Sequence, residues 1–341
     1  MGTALFRDHI FQDNTLKPKI LCGACNLIEA DRKGPDSTFR LNPGLLKKAI
    51  KLFHELGVYN IDFEPLLIKN SETFFQAWAD KETNEYLATY AENCHRLIER
   101  EVSRCDLFSL NRSTQQQLSV LLDEHLIHQQ EDVLLKESDV LGLMRTANKI
   151  ALEQLYSLLE RRRIGVRLRS SFSAYIVEEG SAIVFDHEHE SEMVIRLLEF
   201  KQQLNDMWTE SFHKNETLGH VLREAFETFM NKGKKSDASW GTDNPKTGEM
   251  IAKYVDMLLK GGLRAIGMKP DDPTLGDEDI EINKQLDNVL DLFRFVHGKA
   301  VFEAFYKNDL ARRLLMGRSA SDDAEKNMLS RLKTGSFSSL C

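Results

Sequence analysis

Two runs of apolar residues constrain this chain more than any other feature. Met193, Leu197, Phe200, Leu204 and Met207 step by four, three, four and three, and Ile282, Leu286, Val289, Phe293 and Val296 repeat the pattern. That spacing keeps every member on one face of an α-helix. It is the seam of helices packed side by side at a shallow angle. Neither run is long enough for a free coiled coil, so both are expected in bundles. Helical stripes recur elsewhere: Leu45, Leu46, Ala49, Ile50, Phe53 and Leu56; Leu87, Tyr90, Ala91, Cys94 and Ile98; Val140, Leu143, Met144, Ala147, Ile150, Ala151 and Leu155. Each is expected to be buried against another helix. Start signals are read at Asn70–Ser71, Ser138–Asp139 and Asn215, whose side chains can accept from first-turn N–H groups. Strand signals are nearly absent. Ala182–Phe185 is the best candidate, and a helix–helix connection fits it as well.

Composition agrees with long helices. Gly 19 and Pro 7 in 341 residues are roughly 8%, against a usual share of about 12%. The expected fold class is all-α, as stacked bundles or an α-solenoid. Two segments interrupt it. Residues 231–249 carry almost no apolar side chain besides Trp240 and are expected to form an exposed, mobile loop. Residues 268–281 hold two prolines and a run of acids and read as a linker into a final helical unit. No stretch approaches the roughly 18 apolar residues of a membrane span. The first residues lack the pattern of a secretory signal. Five scattered cysteines point to a reducing compartment rather than a disulfide framework. The net charge of −8 disfavours nucleic-acid binding by the chain as a whole.

Candidate chemistry is sparse. Cys22 and Cys25 have the spacing of half a zinc site, but no second pair lies nearby, so two small buried residues on one helix turn are expected. His125 and His128 sit at i, i+3. His187 and His189 lie in a polar DHEHE stretch. Solvated surface is the expectation for both pairs. Gly-rich phosphate loops and a nucleophile elbow are absent. Hence no catalytic, metal or cofactor-binding residue is assigned. Arg161, Arg162, Arg163, Arg167 and Arg169 form a cationic cluster without interleaved aromatics. Salt bridging between helices, or docking of an acidic partner, is expected there rather than nucleic-acid binding. Residues 299–341 carry eight Lys/Arg and five Asp/Glu, a basic end that could meet an acidic partner.

The most specific text in the chain runs from Phe293 to Lys333. It contains F-R-F-x-x-G-K at Phe293–Lys299, F-E-A-F-Y-K at Phe302–Lys307, L-A-R-R-L-L at Leu310–Leu315 and S-D-D-A-E-K at Ser321–Lys326. Glu224–Lys232, Glu249–Asp256 and Asn26–Gly34 (N-L-I-E-A-D-R-K-G) extend the pattern. Together they resemble the cullins, the scaffold subunits of modular ubiquitin ligases, with wording nearest the cullin-4 branch. The resemblance implies five-helix repeats stacked into a stalk. Residues 1–137 would be the second repeat and 138–267 the third. Residues 268–281 would be a linker and 282–341 the start of a four-helix bundle. It implies a non-catalytic scaffold spacing a substrate receptor from a RING module. The partners it implies are a RING-box protein and a β-propeller adaptor of the DNA-damage-binding type. Residence in nucleus and cytoplasm follows by resemblance only.

The departures from the family shape further expectations. The chain opens near the family's second repeat, and after Thr334 it reads Gly335–Cys341 where the family continues Glu-Cys-Gly. A fragment is therefore expected, without the elements that dock the adaptor and the RING subunit and without a neddylation lysine. In such a fragment Phe302, Phe305 and Leu314 should lie partly uncovered. A standalone helical interaction module, acting as a decoy without ligase activity, is the alternative.

Overall fold

The computed structural model describes residues 11, 13, 15–34, 42–233, 245–266 and 278–334. Among the described residues every regular element is helical. The chain forms two compact units, Met1–Leu168 and Arg169–Cys341.

The first unit is built on α4, Leu87–Phe108, the longest helix among the described residues. Its apolar stripe is buried as expected, with Tyr90, Ala91 and Cys94 fully closed off from solvent. Around it stand α1 (Leu16–Arg32), α2 (Pro43–Glu55), α3 (Glu64–Glu82) and α5 (Arg112–Asp123). The short α6 (Glu131–Leu134), α7 (Glu137–Arg145) and α8 (Lys149–Glu160) complete it. Both α7 and α8 pack on α4. Asn42 and Asn148 cap α2 and α8 by accepting from Leu45 N and Ala151 N.

Several local readings are corrected here. Asn70 and Ser71 lie inside α3. Ser71 is fully buried, and its hydroxyl donates to the Leu67 carbonyl at 2.7 Å. A buried serine in mid-helix satisfies itself on the preceding turn, which is why a capping residue type appears there. Ser138 and Asp139 fall in the first turn of α7, whose cap position is Lys136. The stripe from Val140 to Leu155 belongs to two helices, because the chain turns at Ala147 (φ 48°) and restarts under the Asn148 cap. The break rotates the second helix and leaves Ile150 73% exposed. Leu45 is likewise exposed, since the burying face of α2 is Leu46, Ile50 and Phe53.

The second unit comprises α9 (Arg169–Phe185), α10 (Met193–Asp206), α11 (Glu216–Asn231), α12 (Pro245–Gly261), α13 (Glu278–Phe293), α14 (Lys299–Met316) and α15 (Asp322–Thr334). Both seams that opened the sequence reading are buried along their whole length. Asn215 caps α11 by accepting from Leu218 N at 3.1 Å. Helices α9 and α11 pack closely, and Gly180 permits it. A Cβ there would stand 2.5 Å from the Phe229 ring. Ala182–Phe185 is neither strand nor connection but the last turn of α9, with Val184 buried.

The proposed loop at 231–249 is shorter than its sequence suggested. Asn231 is buried at the end of α11, and residues 245–249 open α12 with Thr247 fully buried. Residues 234–244 lie outside the described residues. So do 268–277 of the 268–281 segment, whereas 278–281 form the first turn of α13, with Glu281 buried. Polarity misled the reading because a helix's first turn tolerates polar residues as well as a loop does.

Candidate functional site

The cysteine and histidine pairs do not converge. Cys25 is buried on α1 while Cys22 is exposed, so only one of the two fits the expectation of small buried residues. Burial pushes the Cys25 thiol up to about 12. His125 and His128 occupy a π-helical turn, Glu124–His128, that puts them in different surroundings. His125 is 4% exposed and shares a hydrogen bond with Gln129 Oε1, while His128 is exposed and pairs with Glu131. His125 thus corrects the expectation of solvated surface. His189 is exposed and bonds Asp186 at 3.1 Å. No group of three or more His, Cys, Asp or Glu among the described residues is placed to hold a metal ion. No helix among them is long and apolar enough to cross a membrane.

Three of the five clustered arginines are committed to the fold. Arg161 donates to Asp123 at 2.6 Å and to Ser119 at 3.1 Å. Arg162 reaches Glu124 at 3.4 Å, and Arg167 pairs with Glu131. These arginines tie the end of α8 and the turn after it to α5, its π-helical extension and α6. Three guanidiniums engaged by carboxylates leave little for phosphates to recruit.

The C-terminal text folds into a buried charged knot. Arg313, from L-A-R-R-L-L, sends Nε and Nη2 to the two carboxylate oxygens of Glu325, from S-D-D-A-E-K, at 2.7 and 3.1 Å. Its Nη1 reaches Asp256 on α12. The Arg313 and Glu325 side chains are 2% and 5% exposed. Burial works against the Arg313 charge, but the hydrogen bonds to Glu325 and Asp256 outweigh it and hold its pKa above the ordinary value. Phe302 stacks on Tyr306 at 5.7 Å and packs on Phe293 at 4.4 Å. Burial raises the Tyr306 phenol, whose oxygen finds no hydrogen-bond partner. Phe302 is therefore fully buried, against expectation, because α13 and Tyr306 already cover it. Phe305 and Leu314 are exposed, at 37% and 57%. The F-R-F text acts similarly: Asn231 donates to the Phe295 carbonyl and accepts from His297 N, both at 2.8 Å.

A family model described as the cullin alpha solenoid domain matches residues 1–338. The chain belongs to the cullin family. This cullin chain is 34% identical over 336 residues to Cullin-4A of Homo sapiens, covering 98% of the chain and 41% of that protein. It is 32% identical over 343 residues to Cullin-4 of Dictyostelium discoideum and 29% identical over 347 residues to Cullin-3 of the same organism. Those matches cover 98% of the chain and 38% and 42% of the relatives. It thus spans about two fifths of the length of these curated relatives. In this cullin chain the recognisable words are mostly packing words: Phe226, Phe229, Met230, Phe293, Phe302, Arg313 and Glu325 are all buried.

The sequence reading missed two concave sites, one on each unit. On the first, a cleft of about 170 Å³ is lined by Arg32, Phe74, Trp78, Arg96, Arg100 and Arg104, among others. On the second, a cleft of about 380 Å³ lies between α10, α11 and the end of α13, with Trp208, Leu222 and Phe295 as its apolar wall. Neither carries a local motif. Each is assembled from helices distant in sequence, and no signal in the chain could have marked it.

Proposed function

We propose that this cullin chain is a non-catalytic scaffold of a cullin–RING ubiquitin ligase, holding a substrate receptor and a RING-bound conjugating enzyme apart in ubiquitin-dependent protein degradation. The reading is supported by one observation above all, the match of the cullin alpha solenoid domain to residues 1–338. In this proposal residues 1–137 and 138–267 are successive five-helix repeats, 268–281 a linker and 282–341 the opening of a helical bundle. The partners are a RING-box protein and a β-propeller adaptor, and the complex works in nucleus and cytoplasm. A scaffold contributes by raising the effective concentration of a substrate lysine at the conjugating enzyme's thioester. Bond chemistry belongs to the partners, so no catalytic residue is assigned. Aromatic packing such as Phe172 on Phe212 at 5.2 Å gives the helices interlocking cores, which suits a part that must resist bending.

The test is immunoprecipitation of the endogenous protein followed by a ubiquitin-transfer assay with activating enzyme, conjugating enzyme and ATP. A co-precipitated RING protein and ubiquitin chains are expected. Recovery without a RING protein or transfer would sink the scaffold reading and leave the decoy.

A further inference from the structure

The cleft on the second unit holds more hydrogen-bonding capacity than the fold uses. Lys201, on α10, has a side chain only 17% exposed, yet its ammonium makes no hydrogen bond. The carboxylate oxygen that it faces, Asp291 Oδ2, stands 3.8 Å away. Asp291 also serves Arg294, at 3.1 Å. One turn beyond Lys201, the half-buried Asn205 carries an amide with no partner among the described residues. At the rim, Arg223 engages only a neutral-capable nitrogen, His220 Nδ1 at 3.2 Å. Three cations therefore line the cleft against two carboxylates, Asp291 and Glu227, and one of those carboxylates is shared. The Lys201 ammonium and the Asn205 amide both reach solvent, so both are open to an incoming acceptor.

Beside these donors lies a flat apolar wall. The Trp208 indole is held in place by its N–H, which donates to the Asn215 carbonyl at 2.7 Å. Gly219 keeps the approach narrow, since a Cβ there would stand 3.1 Å from the ring. Leu222 and Phe295 continue the wall. A volume of about 380 Å³ falls within the range of about 300–1,000 Å³ usual for ligand clefts, and the mixture of apolar wall and few polar groups is of the same kind.

We propose that this cleft docks a short segment of a partner protein that presents one aromatic or large aliphatic side chain beside a carboxylate. The apolar side chain lies against Trp208, Leu222 and Phe295. The carboxylate receives charge-assisted hydrogen bonds from Lys201 Nζ and a further one from the Asn205 amide, with Arg223 at the entrance. Asp291 and Glu227 within the same cleft disfavour a polyanion such as nucleic acid. The site is independent of the ligase reading, because it concerns binding by this chain alone.

The experiment is fluorescence anisotropy with the full chain and fluorescein-labelled Gly/Ser dodecapeptides carrying a central Phe-Ser-Glu or Leu-Ser-Glu, against matched Phe-Ser-Gln and Leu-Ser-Gln peptides. The acidic peptides should bind saturably, and at least about tenfold more tightly than the amide peptides, the ordinary worth of a hydrogen bond to a charged group. Lys201→Gln should abolish the preference, and the exposed rim variant Arg223→Gln should reduce it, both with unchanged far-ultraviolet circular dichroism. Arg312→Gln, on α14, should leave binding as in the parent. Equal binding of the two peptide sets, no saturable binding, or an unchanged preference in both Lys201→Gln and Arg223→Gln would overturn the proposal. So would self-association of the chain that depends on Lys201 and is not competed by the peptides, which would make a second copy the occupant.

Discussion

Each unit buries a glutamate against arginine, two arginines in the first and one in the second. In the first, Arg32 sends Nε and Nη2 to the two oxygens of Glu101, both at 2.9 Å, and Ser71 Oγ accepts a further bond at 2.9 Å. Arg104 then binds the same glutamate at 2.7 Å and Asp31 at 2.6 Å. Two cations thus meet two carboxylates. In the second, Arg313 alone serves Glu325 and Asp256, so one cation meets two carboxylates. Both guanidiniums lie over aromatic rings, Arg32 over Phe74 and Phe75 and Arg313 over Tyr306. The difference teaches that a bidentate pair is only as robust as the charge balance around it. In the neutral foursome Glu101 and Arg104 each keep a second charged partner when one is lost, whereas a lone cation has no substitute.

The sharpest way to test that contrast is to remove the lone cation. Arg313→Met should destabilise the second unit by about 3–5 kcal/mol, the usual cost of leaving buried carboxylates unpaired, read by urea denaturation with Trp208 fluorescence. Arg32→Met should cost the first unit less, about 1–3 kcal/mol, because Arg104 remains on Glu101, read with Trp78 as reporter. Equal losses would break the comparison.

A second pair of tests sharpens it within the first unit. Cys25 and Cys105 flank this network, and burial raises their thiols to about 12 and about 11. Since the thiolate is the reactive form, peptide mapping after iodoacetamide should show the exposed Cys22 modified well before either. Arg32→Met removes a cation that favours both thiolates, so it should slow Cys25 and Cys105 further and leave Cys22 unchanged. Uniform acceleration of all three would mean general loosening rather than loss of the network. Smallest of all, Ser71→Ala should cost about 1 kcal/mol, the usual net worth of one hydrogen bond. Arg32 keeps both of its bonds to Glu101 in that variant. A loss as large as that of Arg32→Met, in the same urea experiment, would show that the serine holds the arginine in place.

Legibility in the sequence followed sequence distance. Arg313 and Glu325 lie 12 residues apart, and they fall with Asp256 inside the stretches that carried the family resemblance. The words were readable, although nothing in them said that the charges were buried partners. Arg32 and Asp31 also fall in such a stretch, N-L-I-E-A-D-R-K-G. Glu101, 69 residues from Arg32, stands in an ordinary amphipathic helix among several exposed acids. One carboxylate of many becomes the partner only when α1 is laid on α4. The His125 reading failed for a similar reason. The π-helical turn Glu124–His128 takes its own residues off the ordinary helical period, so the i, i+3 spacing did not tell where His125 would point.

The amino-acid sequence by itself determined the helical class, the two regular seams, the cap at Asn215 and the family. These depend on neighbours within a turn or two, or on an ordered run of residues, and both survive in one dimension. The tertiary structure decided that Ala147 ends one helix before another begins, that Phe302 is covered and Phe305 is not, and which carboxylate each arginine finds. It also decided that Lys201, Asn205 and Trp208 share a cleft with Phe295. Burial and charge pairing depend on which faces meet, and that is settled only when helices distant along the chain are packed together.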